Sequence, residues 1–426
     1  MDLNSNLFEG FIPAEIGNLS QLEYLDLWNN YIGQKVPIEL GSLGRLWFLD
    51  LGSNYLKSPN WSMFAAMPLL THLNFGFNPL KGEFPSFVLK CRNLTFVSLF
   101  SNNFWGLIPE SLFSRLSKLQ YLELRDNKFV GPMSPNISKL SNLTMLDLKQ
   151  NQLTGSIPAS IGFISGLKVL ELSDNSLMGS IPPTLGSCTM LTNLSLAKNS
   201  LFGELPLSLT NLKGLLELRL SNNNPSGKLS PYLLTNWTQL TSLELQNNGI
   251  SGAIPPEVGQ LTRLQHLFIY GNSFIGNIPS EIGNLRSLID LAVSSNQLSR
   301  SIPQTIRNLS NLSTLYLFSN HLIGKLPPEV GNLTSLTILD VNTNLLCGEL
   351  PVTSSHLSKL QIISLFNNHF VGRIPENFGE NSPFLAYAFF FNNSFVGTLP
   401  PGLCSGFKLI ELTVHEITLL EGFQIA

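Results

Sequence analysis

An asparagine recurs at nearly constant spacing along almost the whole chain of 426 residues, each time within the same apolar pattern. These ladder asparagines are Asn6, Asn30, Asn54, Asn78, Asn102, Asn127, Asn151, Asn175, Asn199, Asn223, Asn248, Asn272, Asn296, Asn320, Asn344, Asn368 and Asn393. Of the 16 intervals between them, 13 are 24 residues long and three are 25. A period of this length is typical of repeat architectures, in which one supersecondary unit is stable only when stacked on its neighbours. The spacing therefore predicts a solenoid of about 17 coils.

The segment around Asn320 shows what one coil requires. Leu315 and Leu317 have the period-two alternation of a short strand, whereas Gly324 and Pro327 mark a turn. One strand per coil stacks on the next as a parallel sheet. Because an asparagine side chain offers both donors and an acceptor, we expect the ladder amides to bond buried backbone groups where the chain turns inward from the strand.

The three longer coils place their additional residue in the return path from one strand to the next. It falls around Phe113, Asn236 and Glu380. Irregular connections tolerate insertions better than strands do, so we expect a helical turn to accommodate the additional residue.

The repeated pattern LxxLxxLxLxxNxLxGxIPxxLGxL resembles the plant-specific leucine-rich repeat. It is seen as LTRLQHLFIYGNSFIGNIPSEIGNL at residues 261–285 and as LTSLTILDVNTNLLCGELP at residues 333–351. The resemblance implies an α/β solenoid, a right-handed superhelix with a concave parallel β-sheet, convex loops and 3₁₀ turns, and a second short strand at LxGxIP. Since no linker interrupts the period, we expect a single repeat domain at residues 1–414 and a degenerate tail at residues 415–426.

Charge and cysteine usage exclude several classes of function. Charged residues make up 12% of the chain and the net charge is −3, so no basic field is present to attract nucleic acid or a membrane surface. Cys91 and Cys188 occupy inward apolar positions and are predicted to be core residues. Cys347 and Cys404 lie about two coils apart, too far for a disulfide, and no metal-ligand spacing occurs. The sequence thus predicts neither a metal site nor a cofactor.

Eleven Asn-x-Ser/Thr sequons favour a secreted, glycosylated protein. Nine lie outside the strand positions and are the predicted glycosylation sites: Asn18, Asn60, Asn93, Asn136, Asn142, Asn236, Asn308, Asn311 and Asn332. The other two, Asn193 and Asn392, fall on the concave side, where a glycan would limit access. The alternative is that GNLS and GNLT are simply what the repeat consensus spells.

Positions four and two before each ladder asparagine, with those directly before and after it, should face outward from the concave sheet. The candidate ligand-binding residues on this concave face are Tyr24, Trp28, Phe48, Arg125, Lys149, Arg219, Phe268, Tyr270, Tyr316, Phe318, Phe366, Phe389 and Phe391. Aromatic residues near both ends and charged residues in the middle predict a groove that binds a peptide or partner domain. The alternative is that rings simply suit strands and pack on neighbouring coils.

The resemblance also implies a function. The chain is similar to the extracellular domains of plant leucine-rich-repeat receptor-like kinases and receptor-like proteins, which sense secreted peptides, hormones or microbial molecules at the plasma membrane and recruit a short co-receptor. A pair of arginines one residue apart, which holds a peptide's terminal carboxylate in some members, is missing here, since Arg125 and Arg219 stand alone. The alternative is a soluble binding protein of the polygalacturonase-inhibitor type, whose shorter solenoid argues against it.

No enzymatic activity is expected from the chain itself. Catalysis needs convergent acid, base or nucleophile groups, whereas the nearest equivalent histidines, His321 and His369, are two coils apart. Phosphate-binding and kinase motifs do not occur, so a kinase domain, if the parent protein has one, would lie outside this chain.

Both ends of the chain depart from what the resemblance implies. No paired cysteines of an amino-terminal cap and no signal peptide precede Asn6, and no apolar run could span a membrane. Near the other end, Ile417 stands where the next ladder asparagine is due. We expect an internal piece of a larger ectodomain. The alternative is a genuine short product whose ends are covered by self-association.

Overall fold

The computed structural model describes residues 1–414. The predicted tail at residues 415–426, including the loss of the repeat at Ile417, lies outside the described residues. The chain divides into two compact units, Met1–Leu215 and Leu216–Ala426. In both units the coils run through a three-residue strand, the ladder asparagine, usually a second short strand, and a helical or turn segment, except that in the coil of Asn6 the first strand is a single bridge between Asp2 and Asp26. The predicted leucine-rich-repeat solenoid is therefore confirmed.

The first unit contains two kinds of parallel sheet. Its first sheet consists of Tyr24–Asp26, Phe48–Asp50, His72–Asn74, Phe96–Ser98, Tyr121–Glu123, Met145–Asp147, Val169–Glu171 and Asn193–Ser195. The second strands are Glu9–Phe11, Tyr31–Gly33, Lys81–Gly82, Asn103–Leu107, Lys128–Pro132, Gln152–Ser156, Ser176–Gly179 and Ser200–Glu204. In the coil of Asn54 the second strand is reduced to one bridge, Lys35 with Lys57. That coil lacks the Gly and Ile-Pro of the pattern.

The second unit repeats this plan. Its first sheet consists of Glu217–Arg219, Ser242–Glu244, His266–Phe268, Asp290–Ala292, Thr314–Tyr316, Ile338–Asp340, Ile362–Ser364, Tyr387–Phe389 and Glu411–Thr413. The second strands are Asn224–Lys228, Gly249–Ala253, Ser273–Gly276, Gln297–Arg300, His321–Gly324, Leu345–Gly348, His369–Gly372 and Ser394–Phe395. Within each first sheet, strands pair so that residues at the same distance from their ladder asparagine stand side by side, as Tyr316 does with Asp340. Side chains therefore form columns along the sheet.

Short helical turns connect the strands. The 3₁₀ turns of the first unit are Ala14–Asn18, Ile38–Ser42, Trp61–Met63, Val88–Lys90, Pro135–Lys139, Ala159–Phe163, Pro183–Ser187 and Leu207–Asn211. Those of the second unit are Pro256–Gln260, Ser280–Asn284, Gln304–Asn308, Pro328–Asn332, Val352–His356 and Pro401–Cys404. Two of the longer coils instead form α-helices, Glu110–Arg115 and Pro231–Asn236. The third longer coil makes hydrogen-bonded turns around Glu380.

The interior of each coil is closed by the apolar residues of the pattern. Leu315, Leu317 and Leu322 are fully buried, as are Cys91 and Cys188. Burial raises the pKa of the Cys188 thiol to about 11, as expected for a thiol among apolar side chains. The predicted role of these two cysteines as core residues is confirmed.

The ladder asparagines bond backward to the preceding coil. The Nδ2 group of Asn54 donates to the carbonyl of Leu27 in that coil at 2.9 Å, and also to the carbonyls of Leu51 and Gly52 in its own coil. Its Oδ1 atom accepts the N–H of Ile32, again from the preceding coil, at 3.0 Å. Both halves of the amide thus satisfy buried backbone groups, as predicted.

One coil departs from this arrangement. The backbone donor normally lies two residues after the preceding ladder asparagine, but that position is Pro225, which has no N–H. The Oδ1 atom of Asn248 accepts instead from the N–H of Asn223 at 3.1 Å. The ladder amide therefore keeps a backbone donor in spite of the proline.

Candidate functional site

The residue before each ladder asparagine has a left-handed backbone. Its φ lies between 46° and 62° in all 17 coils, and only one of the 17 residues, Gly271, is a glycine. This conformation turns the chain sharply after the first-sheet strand. Four positions per coil face outward from the first sheet, and they lie six, four, two and one residues before the ladder asparagine. We call these positions together the strand face.

All 13 candidate ligand-binding residues lie on the strand face, and none of them is buried. Trp28 is the most open of the aromatic candidates at 39% exposure, and the remaining rings are half-buried. Several residues four positions before the ladder asparagine are less exposed than the sequence suggests. Asp26, Asp50 and Asp147 are only 5–8% exposed. The strand face thus consists of partly covered rings beside well-covered carboxyl groups.

In the first unit, rings stack along the column six residues before the ladder asparagines. Tyr24 stacks on Phe48 with ring centroids 4.3 Å apart, and Phe48 stacks on His72 at 4.1 Å. Phe96 continues the stack at 4.2 Å from His72, and Tyr121 follows at 5.8 Å. Because these rings cover one another's faces, packing between coils accounts for Tyr24 and Phe48. The packing interpretation therefore applies at this end of the chain.

Sequence reasoning missed three members of this stack, His72, Phe96 and Tyr121. The signal was present, because all five residues lie at one offset and recur at the period of the repeat. The columns closest to the ladder asparagine supplied most of the candidate residues, so this outer column was represented only by Tyr24 and Phe48.

Arg125 is held by neighbouring side chains. Its Nε atom donates to Oε1 of Glu123 at 2.8 Å and lies 3.5 Å from Oδ2 of Asp147. Its guanidinium carbon also lies 4.4 Å from the ring centroid of Phe100. With two carboxylates and a ring already in contact, Arg125 is poorly placed to bind an anionic ligand group.

Asp147 is the most perturbed carboxyl group of this cluster. Burial raises its pKa to about 6, while the backbone N–H of Lys149, bonded to Oδ1 at 3.0 Å, lowers it. Repulsion from Glu123 adds to the increase, whereas Arg125 opposes it. The Lys149 side chain is half-buried at the adjacent offset of two.

Arg219 of the second unit is engaged in a similar way. Its guanidinium lies 2.9 Å from Oε2 of Glu217 and 3.0 Å from Oε1 of Glu244. Two residues after Glu244, the Oε1 atom of Gln246 is buried and has no hydrogen-bond partner. The two predicted arginines therefore both belong to local carboxylate pairs.

The aromatic candidates of the second unit are arranged differently from the stack of the first. Tyr316 and Phe318 meet edge to face within one coil, with centroids 5.9 Å apart at 81°. Phe366 and Phe391 stack at 4.4 Å. Phe389 lies 6.2 Å from the ring of Tyr387.

Phe268 and Tyr270 share one coil with His266. The ring of Phe268 lies 6.1 Å from the imidazole of His266, whose Nδ1 atom is 2.7 Å from Oδ2 of Asp290. Tyr270 is half-buried at the adjacent offset of two. A histidine–aspartate contact thus borders these two aromatic candidates.

The nine predicted glycosylation sites lie on the helical turns and on the segments beside them. Asn18, Asn60, Asn142, Asn308, Asn311 and Asn332 are exposed, and Asn93, Asn136 and Asn236 are half-buried. Some of these amides already have backbone partners, as Asn142 does with the carbonyl of Ser117 at 3.0 Å. On the strand face, Asn392 is exposed and Asn193 is half-buried.

Among residues 1–414, no three His, Cys, Asp or Glu side chains are grouped so as to hold a metal ion. Nor does any helix within that range have the length and apolar character needed to cross a membrane.

Comparisons with known proteins agree with this architecture. The family model "Leucine Rich Repeat" matches residues 21–43, 142–164, 166–188, 239–261, 263–285, 311–333 and 359–381. The search of curated proteins found no match. A plant peptide hormone receptor, RGFR1 in complex with RGF2, is 32% identical over 96% of this chain and 72% of its own, with a TM-score of 0.87.

Two Arabidopsis receptor structures are also similar. The ectodomain of the membrane receptor kinase GASSHO1/SCHENGEN3, in complex with CASPARIAN STRIP INTEGRITY FACTOR 2, is 32% identical, with a TM-score of 0.85. The match covers 98% of this chain but about half of that one, 52%. The receptor kinase HAESA, in complex with IDA and the co-receptor SERK1, is 28% identical over 98% of this chain and 82% of its own, with a TM-score of 0.67.

Identity of 32% over nearly the whole chain, together with the 24-residue coil and its second strand, leads to one assignment. The chain belongs to the leucine-rich-repeat family, and its repeats are of the type found in the ectodomains of plant receptor kinases.

Proposed function

We propose that this chain is the ligand-binding region of a plant cell-surface receptor and that it binds a secreted peptide on its strand face. The observation that carries the proposal is the similarity to receptors solved with peptide hormones, at 32% identity and a TM-score of 0.87 for RGFR1 with RGF2. The parent protein would lie in the plasma membrane with this region outside the cell. Signalling, including any kinase activity, would then reside in parts outside this chain.

The strand face of the second unit supports the proposal physically. Tyr270, Phe318 and Phe366 lie at one offset with part of each ring accessible to solvent. Aromatic side chains are enriched at binding surfaces, since a rigid ring contributes a large contact area at a small cost in conformational entropy. The backbone around the rings is fixed by the ladder amides, so a ligand would meet a preorganised surface.

The proposal includes two further parts. We take residues 1–414 as one continuous repeat domain, because the same coil runs through both units. We also include a short leucine-rich-repeat co-receptor as a partner, by analogy with HAESA, which was solved together with SERK1. The predicted sequons are consistent with passage through the secretory pathway, and mass spectrometry of the secreted protein would measure their occupancy.

Peptide binding by the full chain tests the proposal. The chain would be secreted behind a heterologous signal peptide and screened by calorimetry against synthetic plant peptides and against cell-wall enzymes. Tyr270→Ala and Phe318→Ala should each weaken a peptide hit about tenfold or more, since a buried aromatic anchor contributes about 2 kcal/mol.

Tyr232→Ala provides the matched control, because Tyr232 is 70% exposed on the helix Pro231–Asn236, away from the strand face. The affinity of Tyr232→Ala for the peptide should equal that of the unmodified chain. Unchanged affinity in both strand-face variants would place the binding site elsewhere. Binding of an enzyme but of no peptide would refute the receptor proposal in favour of an inhibitor.

A further inference from the structure

In the described part of the chain, no cationic side chain pairs with the carboxylate of Asp340. Its Oδ1 atom accepts the backbone N–H of Asn342 at 3.2 Å and the Nδ2 group of the same residue at 2.6 Å. Within the described residues, no Lys, Arg or His nitrogen lies within 4.0 Å of its oxygens. Burial raises the pKa of this carboxyl group, and only neutral hydrogen bonds oppose the increase. A positive charge beside Asp340 would therefore stabilise its ionised form.

Other carboxylates on the strand face of the second unit already have basic partners. From Glu217 to Asn392 that face carries four carboxylates and a single arginine or lysine, Arg219, although the whole chain has 25 such residues. Glu217 and Glu244 bind Arg219, and Asp290 contacts His266. Asp340 is therefore the carboxylate of this face at which a ligand cation would compete with the fewest basic side chains of the chain itself.

Aromatic residues stand beside Asp340 on the preceding strand and in the adjacent column of the sheet. Tyr316 stands directly beside it on the preceding strand, and Ser364 stands on the following one. In the column two residues further on, the rings of Phe318 and Phe366 flank Asn342, which is 8% exposed and so is covered by its neighbours. A carboxylate with aromatic residues on the neighbouring strands combines the two kinds of group that attract organic cations.

The shape of these groups favours arginine over lysine. A guanidinium is planar, stacks on rings, and presents a fork of N–H donors that matches a carboxylate, whereas an ammonium is a compact and strongly hydrated charge. Tyr316 and Phe318 stand nearly perpendicular, at 81°, so one flat group beside them can meet the face of one ring and the edge of the other.

We propose that Asp340, together with Tyr316, Phe318 and Phe366, forms a subsite for an arginine side chain of the bound peptide. The inference rests on the proposed function and makes it more specific. It assigns the ligand a basic side chain at one position, where the carboxylate pairs with the guanidinium and the rings stack against it.

A positional-scanning library of acetylated, amidated hexapeptides tests the subsite on the full secreted chain. The bound peptides should be enriched in arginine at one position. Replacing that arginine by citrulline, which has the same shape but no charge, should weaken binding about tenfold or more. Asp340→Asn should abolish the preference for arginine over citrulline while leaving the thermal midpoint unchanged or higher, since it removes a buried charge.

Glu349→Gln is the matched control, because Glu349 lies in the same coil but is exposed outside the strand face, and the change in charge is identical. This variant should keep the full preference for arginine. An undiminished preference in Asp340→Asn, or bound peptides with no enrichment in arginine, would overturn the subsite while the proposed function stands. Absence of binding by any peptide in the library would overturn the proposed function, and the subsite with it.

Discussion

Replacing one ladder asparagine by alanine should remove a large share of the local stability. The Oδ1 atom of Asn320 accepts the N–H of Leu298 at 3.0 Å, and Nδ2 donates to the carbonyls of Val293, Leu317 and Phe318 at 3.1–3.3 Å. In Asn320→Ala these carbonyls keep other donors, as Val293 does with Asn296. The buried N–H of Leu298 loses its acceptor.

The magnitude follows from these bonds. An unsatisfied buried N–H costs about 1–3 kcal/mol, and each hydrogen bond lost from a carbonyl that keeps another donor costs about 0.5–1 kcal/mol. Asn320→Ala should therefore destabilise its coil by about 2.5–6 kcal/mol, the sum over one N–H and three carbonyls. Asn6→Ala is the control, since Asn6 is exposed and bonds only the carbonyls of Leu3 and Asn4 in its own coil. Its cost should be about 1 kcal/mol or less.

Hydrogen exchange read by mass spectrometry suits a repeat protein, because it reports the opening of individual coils rather than one global transition. Peptides covering residues 293–300 should lose protection in Asn320→Ala, and the urea midpoint should fall. A loss in Asn320→Ala no larger than that in Asn6→Ala would refute the view that the ladder amides satisfy the backbone of the preceding coil.

Three further changes test other parts of the structure. The raised pKa of Asp147, about 6 against 3.8, means that the folded state holds this proton longer, so the stability associated with the protonated group is present below about pH 4 and is lost as pH rises towards 6. The free energy of unfolding of Asp147→Asn, measured by urea denaturation, should therefore equal that of the unmodified chain at acid pH and exceed it at pH 7 by up to about 3 kcal/mol. An equal difference at both pH values would contradict this reasoning. Arg300 has a φ of 67° where most coils have glycine, so Arg300→Gly should raise thermal stability by about 0.5–1 kcal/mol, and a loss would show that the left-handed backbone is not strained there. A Cβ on Gly41 would lie 2.6 Å from the backbone nitrogen of Ala65, whereas one on Gly44 in the same coil meets nothing within 4 Å. Gly41→Ala should cost about 2–3 kcal/mol in chemical denaturation and Gly44→Ala less than about 0.5 kcal/mol, and equal costs would count against close packing of the turns.

The coil itself was predictable from sequence because every position of the pattern has one physical reason. Alternating leucines require a strand, the ladder asparagine requires buried backbone partners, and Gly with Pro requires a turn. Repetition multiplies each weak local signal, so even the place where an additional residue forms a helix, around Phe113 and Asn236, could be inferred.

The strand face was less predictable because its interactions join different coils. Sequence placed Arg125 and Arg219 on that face, but their carboxylate partners and the ring under Arg125 depend on rotamers and distances between neighbouring strands. The burial of Asp147 was unpredictable for the same reason, because the exposure of an outward-facing side chain depends on the conformations of its neighbours. The repeat pattern determines which residues share a face, whereas the contacts between those residues can be known only from the three-dimensional structure.

The backward direction of the ladder bonds gives each unit a chemical polarity. The N–H of Leu298 depends on Asn320 in the following coil, whereas Asn320 finds in the coil before it the partners of its side-chain amide, this N–H and the carbonyl of Val293. Removing coils from the carboxyl-terminal side of a unit exposes, at each step, the backbone N–H that the next ladder amide would have accepted. Removing coils from the amino-terminal side exposes the side-chain amide together with backbone N–H groups, as those of Ser313 and Thr314, which bond the carbonyl of Ile289 in the preceding coil. The two edges of a unit therefore differ chemically, because the amino-terminal edge presents a ladder amide without its partners from the preceding coil and the carboxyl-terminal edge presents a backbone N–H without its ladder amide.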